Sequence, residues 1–335
     1  MSTAGGDVRD RALAAMQGLA VGDALGMPTQ LMSRAEIARR YGAIEGFRDA
    51  APDHPIAAGM PAGSITDDTE QALLLARALI DGAGELDPSD FARRLAAWED
   101  AMRASGSLDL LGPSTRAAVA AVLAGVPAER AGRTGTTNGA AMRVTPVGIA
   151  WPSADLTRLV AAVRAASRVS HDTGIAIAGA SAVAAAVSAG IDGADLDDAI
   201  DLGIAAAREG AALGTWIAGA DVAARIGWAV GLGRGARDAD PGTFLDLVGT
   251  SLQTQESVPA AFGLLARAAG RGWDAALAAA SAGGDTDTIA AMAGAIGGAI
   301  GGTAAFPAEA IATVARVNAL ALDPVVDGLL ALRVR

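Results

Sequence analysis

Apolar residues recur every three or four positions along most of the chain, and runs that alternate strictly between apolar and polar residues are hard to find. The first spacing puts apolar side chains on one face of an α-helix, whereas alternation is typical of a β-strand. The pattern therefore predicts an all-α fold with three longer loops. The predicted helices are Val8–Val21, Ala35–Tyr41, Asp68–Ile80, Pro88–Arg103, Ser114–Ala124, Leu156–Val169, Thr173–Ala189, Leu196–Leu213, Asp221–Leu232, Pro241–Leu252, Ser257–Ala269, Trp273–Ala282, Thr286–Gly298 and Ala308–Ala319. The predicted loops are Gly42–Gly63, Ser105–Pro113 and Gly132–Pro146.

The chain offers no obvious boundary between domains. Neither a low-complexity linker nor a shift in composition interrupts its 335 residues, so we expect a single domain over residues 1–335. Glycines recur every three or four residues near the end of the chain, although each glycine inside a helix costs up to about 1 kcal/mol relative to alanine. They therefore predict a helix face that another backbone approaches closely: Gly294, Gly297, Gly298, Gly301 and Gly302.

Two short acidic turns open alanine-rich helical stretches more than two hundred residues apart, at 63–69 and 283–288. Carboxylates and hydroxyls at this density suit hard divalent cations such as Mg²⁺ or Mn²⁺. If the turns meet, each pair of carboxylates about 4 Å apart repels by roughly 4 kcal/mol. A helix N-terminus offsets only about 0.3 to 1 kcal/mol of this repulsion. Two divalent cations would balance four carboxylates, so the sequence favours a binuclear site.

Helix capping offers a simpler explanation of each turn taken alone. Thr66, Asp67 and Asp285 are residue types that favour N-caps, and Asp67 and Glu70 stand at capping-box spacing. The second turn repeats the pattern of the first, with small residues leading in and a threonine closing. This repetition favours a shared site over two unrelated caps.

Composition excludes several classes of protein. The formal net charge is -11, with 26 Lys and Arg against 37 Asp and Glu, which disfavours sequence-independent binding of nucleic acid. The chain has no cysteine, so disulfides and thiolate sites are excluded and a cytoplasmic location is expected. Residues 1–10 are polar and do not resemble a targeting segment. The uncharged run Ile289–Phe306 is mostly Ala and Gly and directly follows acidic residues, so no membrane span is expected.

Three further segments carry candidate chemistry. Asp23, in the glycine-spaced turn Gly22–Gly26 that is predicted to end the first helix, is either a cap or a carboxylate that supports the site. The small-residue loop Gly135–Arg143 suits close approach to a phosphate or sugar, although Asn-Gly is also a common turn pair. His171 stands at a predicted helix start, where it is either structural or able to hold a ligand hydroxyl or phosphate. His54, in a proline-containing loop, is assigned no role.

Six short motifs occur in order along the chain, and together they resemble the ADP-ribosylglycohydrolase family over nearly the whole length. The motifs are Gly22–Gly26, Thr66–Thr69, Asn138–Arg143, Ser170–His171, Glu256–Ala261 and Gly284–Thr288. The resemblance implies a compact, orthogonal all-helical bundle with two Mg²⁺ or Mn²⁺ ions in a cleft. The metal ligands that it implies are Thr66, Asp67, Asp68, Asp285, Asp287 and Thr288. The substrate-binding residues expected from it are Gln30, Asn138, Gly139, Met142, Arg143, His171 and Gly284. The expected catalytic residues are Asp68, Asp287 and Asp109.

Gln30 departs from the family pattern, because many members carry a glutamate at the matching position. An amide donates hydrogen bonds or binds a metal, but it does not act as a base near neutral pH. A carboxylate at the metal site, or Asp109 in the loop before Pro113, must then accept the proton. The alternative is a substrate whose leaving group needs less help.

Three functions remain open at this point. The first is metal-dependent cleavage of the glycosidic bond of an ADP-ribosylated protein or small acceptor, through an oxocarbenium-like transition state while the ribose hydroxyls are held at the metals. The second is hydrolysis of a small nucleoside or related riboside. The third is a protein that binds ADP-ribose or a nucleotide without turnover, which the intact acidic turns argue against.

Overall fold

Eighteen α-helices make up most of the computed structural model, which describes residues 4–108, 110–235 and 242–333. The helices are α1 (Ala4–Gly26), α2 (Arg34–Tyr41), α3 (Asp67–Asp81), α4 (Pro88–Ala104), α5 (Pro113–Leu123), α6 (Ala128–Ala131), α7 (Gly139–Met142), α8 (Thr145–Ala150), α9 (Leu156–His171), α10 (Gly174–Ile191), α11 (Leu196–Ala211), α12 (Val222–Gly235), α13 (Gly242–Val248), α14 (Thr254–Arg267), α15 (Gly272–Ala280), α16 (Thr286–Gly301), α17 (Ala308–Val317) and α18 (Asp323–Arg333). Short 3₁₀-helices span Met27–Thr29 and Thr303–Ala305. Across the described residues the backbone forms isolated β-bridges and no strand, so the predicted all-α fold is confirmed.

The first and sixteenth helices cross with their backbones in direct contact. A methyl group added to Gly18 would lie 2.2 Å from the carbonyl oxygen of Gly294, and one added to Gly298 would lie 2.1 Å from that of Ala14. Such distances leave room only for glycine. The predicted close approach at Gly294 and Gly298 is therefore confirmed, and it sets the beginning of α16 beside the end of α1.

The remaining glycines of that predicted face have other partners. Gly297 turns toward α15, where an added methyl group would lie 2.4 Å from the Cα of Gly272. Gly302 has a φ of +68° and follows the last residue of α16, a conformation that favours glycine. Gly301 makes no comparably close backbone approach. The predicted glycine face therefore packs against two helices, α1 and α15, and its last glycine ends α16.

Helix α10 forms the centre of the fold. All of its residues are buried, and it packs against α9, α11 and α16. It is long and apolar enough to cross a membrane by length and composition alone, but its complete burial is typical of a core helix.

The boundaries differ from the sequence prediction at several points. Helix α1 continues through the predicted glycine turn to Gly26, because Gly22 and Gly26 pack directly against α16. The predicted loop Gly132–Pro146 contains α7 and the beginning of α8, whose first turn tolerates Pro146. The helix predicted over Pro241–Leu252 ends at Val248, and Pro241 lies outside the described residues. Helices α6 and α18 were not predicted.

Candidate active site

The two acidic turns lie together in the fold. Thr66 is the N-cap residue of α3, and Asp285 is the N-cap residue of α16. The hydroxyl of Thr288 donates a hydrogen bond of 3.3 Å to Oδ2 of Asp68, which joins the two turns directly. The contact between α1 and α16 places the second turn here, since Gly26 approaches the backbone of Asp287. Residues from both ends of the chain therefore share one site.

Asp23 holds the first turn in place from the end of α1. Its carboxylate accepts hydrogen bonds from the backbone N–H groups of Thr66 and Thr69, at 3.0 and 3.1 Å. It also accepts from both threonine hydroxyls, at 2.7 and 2.5 Å. Burial raises the pKa of Asp23 to about 6, while these hydrogen bonds act to lower it. Asp23 thus caps the N-terminus of α3 and, through the same hydrogen bonds, supports the acidic turn. The sequence offered a cap and a supporting carboxylate as alternatives, and in the structure one set of contacts serves as both.

Negative charge is concentrated around Asp68. Asp68 is 1% exposed, and its Oδ1 has no hydrogen-bond partner in residues 4–108, 110–235 and 242–333. Burial raises its pKa well above the usual range, and the nearby carboxylates of Asp287, Asp67, Asp23 and Asp285 raise it further. These side chains do not form a finished coordination shell, because within the described chain no three acidic or histidine side chains converge closely enough to hold an ion. The donor chemistry nevertheless fits a hard divalent cation.

Asn138 links the second turn to the loop before α7. Its amide nitrogen donates to Oδ2 of Asp285 at 2.5 Å and to the hydroxyl of Ser257 at 3.0 Å. Its backbone N–H donates to the carbonyl of Leu252. Burial raises the pKa of Asp285 to about 6, while the hydrogen bonds from Asn138 and Thr288 act to lower it. Asn138 therefore fixes the orientation of this carboxylate, a contact that the sequence pattern did not reveal.

A cavity of about 200 Å³ lies over the two turns. Its polar lining residues are Gln30, Asp67, Asp285, Asp287, Thr288, Thr137, Asn138 and Thr115. Its apolar lining residues include Leu31, Ile56, Leu108, Leu110, Leu111, Leu252 and Met142. Arg116 is the one cationic side chain among the described lining residues. It donates to the carbonyl of Leu111 and pairs with Glu99. The cavity therefore combines an acidic floor with an apolar wall.

Two residues predicted to line the pocket are sealed behind its wall. Arg143 is 1% exposed, donates to Gln71 and Ser170, and stacks its guanidinium over the ring of Phe91. Burial lowers its pKa to about 10. His171 is fully buried, and burial together with the charge of Arg143 lowers its pKa well below the usual value. In the structure, both side chains act on the cavity only through neighbouring residues.

His171 reaches the cavity wall through a hydrogen bond with Thr137. The hydroxyl of Thr137 lies 3.0 Å from Nε2 of the histidine, and the hydroxyl of Ser170 lies 2.8 Å from Nδ1. Gly139 lies against the same ring, where an added methyl group would come within 2.9 Å of Cε1. The imidazole thus supports the loop that carries Asn138.

Gly284 contributes backbone geometry to the site. Its φ is +77°, and an added methyl group would lie 2.2 Å from the carbonyl oxygen of Thr250, so only glycine fits. Its carbonyl accepts from the N–H of Leu31, and its own N–H donates to Met32. The glycine therefore ties the segment after Gln30 to the turn that carries Asp285. Asp109, predicted to be catalytic, lies outside the described residues.

Sequence analysis assigned no role to His54, which contacts the backbone of the cavity-lining residue Gln30. Its Nδ1 accepts from the backbone N–H groups of Ile56 and Ala57, so the ring proton stands on Nε2. Nε2 lies 3.0 Å from the carbonyl oxygen of Gln30, which accepts its hydrogen bond. One histidine in a proline-containing loop gives no sequence signal for this contact.

Comparisons with known proteins agree with this architecture. A sequence profile described as ADP-ribosylglycohydrolase matches residues 4–334. The uncharacterized protein YegU of Escherichia coli (strain K12) is 35% identical over 314 residues, which cover 93% of each chain. An uncharacterized protein of Archaeoglobus fulgidus is 36% identical over 288 residues, 85% of each chain.

Two further proteins similar to this chain carry names that refer to ADP-ribosyl glycohydrolases. The ADP-ribosyl-(dinitrogen reductase) glycohydrolase of Rhodospirillum rubrum is 41% identical over 99 residues, 28% of this chain and 30% of that protein. A solved structure described as an ADP-ribosylglycohydrolase-related protein complex has a TM-score of 0.69 and 24% identity, and covers 98% of this chain and 99% of its own. At that identity the likeness shows the shared fold. Since the family profile spans almost every residue, the chain belongs to the ADP-ribosylglycohydrolase family and is a hydrolase of glycosidic bonds.

Proposed function

We propose that this protein cleaves the glycosidic bond of an ADP-ribosylated substrate, with two divalent cations, Mg²⁺ or Mn²⁺, held between the acidic turns. The observation that carries the proposal is the burial of Asp68 among four other carboxylates. Such a concentration of like charge is unfavourable without cations. The proposed ligands are Thr66, Asp67, Asp68, Asp285, Asp287 and Thr288. When bound, the cations would offset the carboxylate charge and hold the vicinal hydroxyls of a ribose.

The residues around the turns support this role by positioning the ligands. Asp23 fixes the backbone of Thr66, and Asn138 fixes the carboxylate of Asp285. Because both contacts are buried, the carboxylates keep their places without help from solvent. A ribose held over such an acidic floor would have its developing positive charge stabilised in an oxocarbenium-like transition state.

The attacking water needs a group that accepts its proton. Gln30 lines the cavity, but a neutral amide does not serve as a base. We therefore assign the proton to a carboxylate of the acidic turns or to Asp109. Replacing Asp109 by Asn separates the two, since only the second assignment predicts a large fall in kcat.

A small riboside is the second candidate substrate, and the size of the cavity favours it. About 200 Å³ is less than the roughly 300 to 1,000 Å³ typical of ligand pockets. Arg143 is sealed by Gln71 and Ser170, so it does not present a charge to a diphosphate. A nucleoside or related N-riboside would use the same acidic floor. A non-catalytic binding protein would not need so many buried like charges.

One experiment tests the proposed activity. The purified protein is analysed for bound metal and then assayed with ADP-ribosylated protein and with a panel of nucleosides, with Mg²⁺ or with a chelator. We expect release of the ribosyl product only with Mg²⁺, and loss of both metal and turnover in Asp287→Ala. The exposed Asp201 of α11 gives a matched control, Asp201→Ala, which should behave as the wild type. Hydrolysis at the wild-type rate by Asp287→Ala would refute the assignment.

A further inference from the structure

Gln30 carries a buried hydrogen-bond donor that has no partner among the described residues. The residue is 4% exposed and lines the cavity. Its Nε2 makes no hydrogen bond within the part of the chain that the structure describes. A buried donor without a partner is unfavourable, so its retention at a cavity points to a group on the ligand that accepts from it.

The backbone of Gln30 is fixed on both sides. His54, itself 3% exposed, donates from Nε2 to the carbonyl of Gln30. On the other side, the N–H of Leu31 donates to the carbonyl of Gly284 at 2.7 Å. Leu31 has a φ of +62°, an unfavourable conformation for leucine that these contacts maintain. The fold therefore sets the position of the backbone from which the amide side chain extends.

The neighbours of the amide indicate which part of the substrate it meets. Through Gly284, the Gln30 segment is joined directly to the turn that carries Asp285 and Asp287. That turn forms the acidic floor over which the sugar would lie. The natural partner of Nε2 is therefore an uncharged oxygen of the sugar.

We propose that Gln30 binds the sugar as a hydrogen-bond donor, from Nε2–H to a neutral sugar oxygen, and that His54 is the residue that positions it. In this role the amide contributes no proton transfer. The inference rests on the proposed function, because it assumes that a ribosyl group enters this cavity. It adds the direction of the hydrogen bond at Gln30 and a role for His54.

The first test compares Gln30→Leu with the wild type on every substrate that the wild type cleaves. Loss of one such hydrogen bond should lower kcat/KM about tenfold. His54→Phe should lower kcat/KM in the same direction while the protein remains folded by circular dichroism. The exposed Arg39 supplies a control, since Arg39→Gln should leave kcat/KM unchanged. Wild-type kcat/KM in Gln30→Leu would overturn the proposal.

The pH profile of Gln30→Glu provides a sharper test. If residue 30 acts as a hydrogen-bond donor, the relative kcat/KM of this variant should fall with pH, whereas it should rise with pH if the residue acts as a base. A protonated glutamic acid retains a donor, whereas the ionised form does not. We expect kcat/KM of Gln30→Glu, relative to the wild type at each pH, to be highest at acid pH and to fall as the carboxyl ionises. A relative kcat/KM that rises with pH would show that the position demands a base, and would overturn the proposal.

A binding measurement separates failure of this inference from failure of the proposed function. Calorimetric titration with ADP-ribose in Mg²⁺ should show about tenfold weaker binding for Gln30→Leu. If the wild type cleaves nothing but this difference in affinity is found, the proposed activity is wrong and the role of Gln30 stands. If the wild type cleaves ribosides and Gln30→Leu matches it in both affinity and kcat/KM, the role of Gln30 is wrong. Failure of the wild type both to cleave and to bind would overturn both.

Discussion

Two buried carboxylates at this site, Asp23 and Asp68, affect the stability of the folded protein in opposite ways. Asp23 accepts hydrogen bonds from Thr66 and Thr69, so these donors offset part of the cost of burying its charge. Asp68 accepts long contacts from the hydroxyls of Thr66 and Thr288 and lies near other carboxylates, and its Oδ1 has no partner among the residues that the structure describes. We attribute the first to folding and the second to function.

Replacing Asp68 by Asn should stabilise the metal-free protein while abolishing activity. Removal of one buried charge relieves repulsion, and a gain of about 0.5 to 2 kcal/mol in the free energy of unfolding is expected. Chemical denaturation in the presence of a chelator measures this gain. A loss of stability in the chelated protein would contradict the account.

Replacing Asp23 by Asn should have the opposite effect. The amide cannot accept from all of the donors that surround Asp23, and buried donors without partners cost about 1 to 3 kcal/mol. We expect a lower free energy of unfolding by about that amount, with or without Mg²⁺, under the same denaturation conditions. Unchanged stability would show that Asp23 does not hold the α3 turn.

Among the helices, the contact between α1 and α16 decides where the site forms. It is made by glycines that let the two backbones touch, and it places Asp287 beside Gly26. Each glycine lowers the intrinsic stability of its helix, but it allows the two helix backbones to come closer than any larger residue would, and this packing offsets the loss.

Substituting alanine at two helical glycines tests this contact. At Gly22 an added methyl group would lie 2.1 Å from the carbonyl oxygen of Ala290, so Gly22→Ala should destabilise the protein by about 1 to 3 kcal/mol or more. At the exposed Gly231 of α12, a methyl group would meet no described atom within 4 Å beyond the adjacent backbone of its own helix, so Gly231→Ala should stabilise the protein by up to about 1 kcal/mol. Thermal unfolding measures both. If both substitutions changed the stability by the same amount, helix propensity alone would explain the two positions and the contact between α1 and α16 would not.

The sequence predicted most of the helices and the pairing of the acidic turns, because periodicity and turn chemistry are local signals. It did not predict that α1 continues to Gly26, since the contact that stabilises this stretch comes from α16. It also placed Arg143 and His171 on the pocket surface, although burial seals both. Burial depends on which helices become neighbours, and alanine-rich helices such as α10, buried on every side, carry little information about that choice. The single-domain prediction stays a prediction.

For the protein as a whole, the acidic cluster links stability to pH and to divalent cations. The pKa values of Asp23 and Asp285 are raised to about 6, above the value near 4 expected in the unfolded chain. A raised pKa in the folded state means that the folded protein binds more protons between these values. The contribution of Asp23 and Asp285 to the free energy of unfolding is therefore favourable at low pH and is lost as the pH rises through about 6.

Divalent cations should reverse this loss. We expect the metal-free protein to become less stable between about pH 4 and pH 7, where the carboxylates ionise against burial and mutual repulsion. Added Mg²⁺ should then raise the melting temperature more at pH 7.5 than at pH 5, because cations bind the ionised form. Scanning calorimetry with and without Mg²⁺ at the two pH values checks this. An equal rise at both values would count against carboxylate ligands.

The stoichiometry of Mn²⁺ binding tests most directly whether two distant turns build one cation site. Wild-type protein, Asp68→Asn and Asp287→Asn are each titrated with Mn²⁺, and bound ion is counted per chain. We predict two ions in the wild type and fewer in both variants, although each variant alters only one turn. Undiminished binding in either variant would contradict the account.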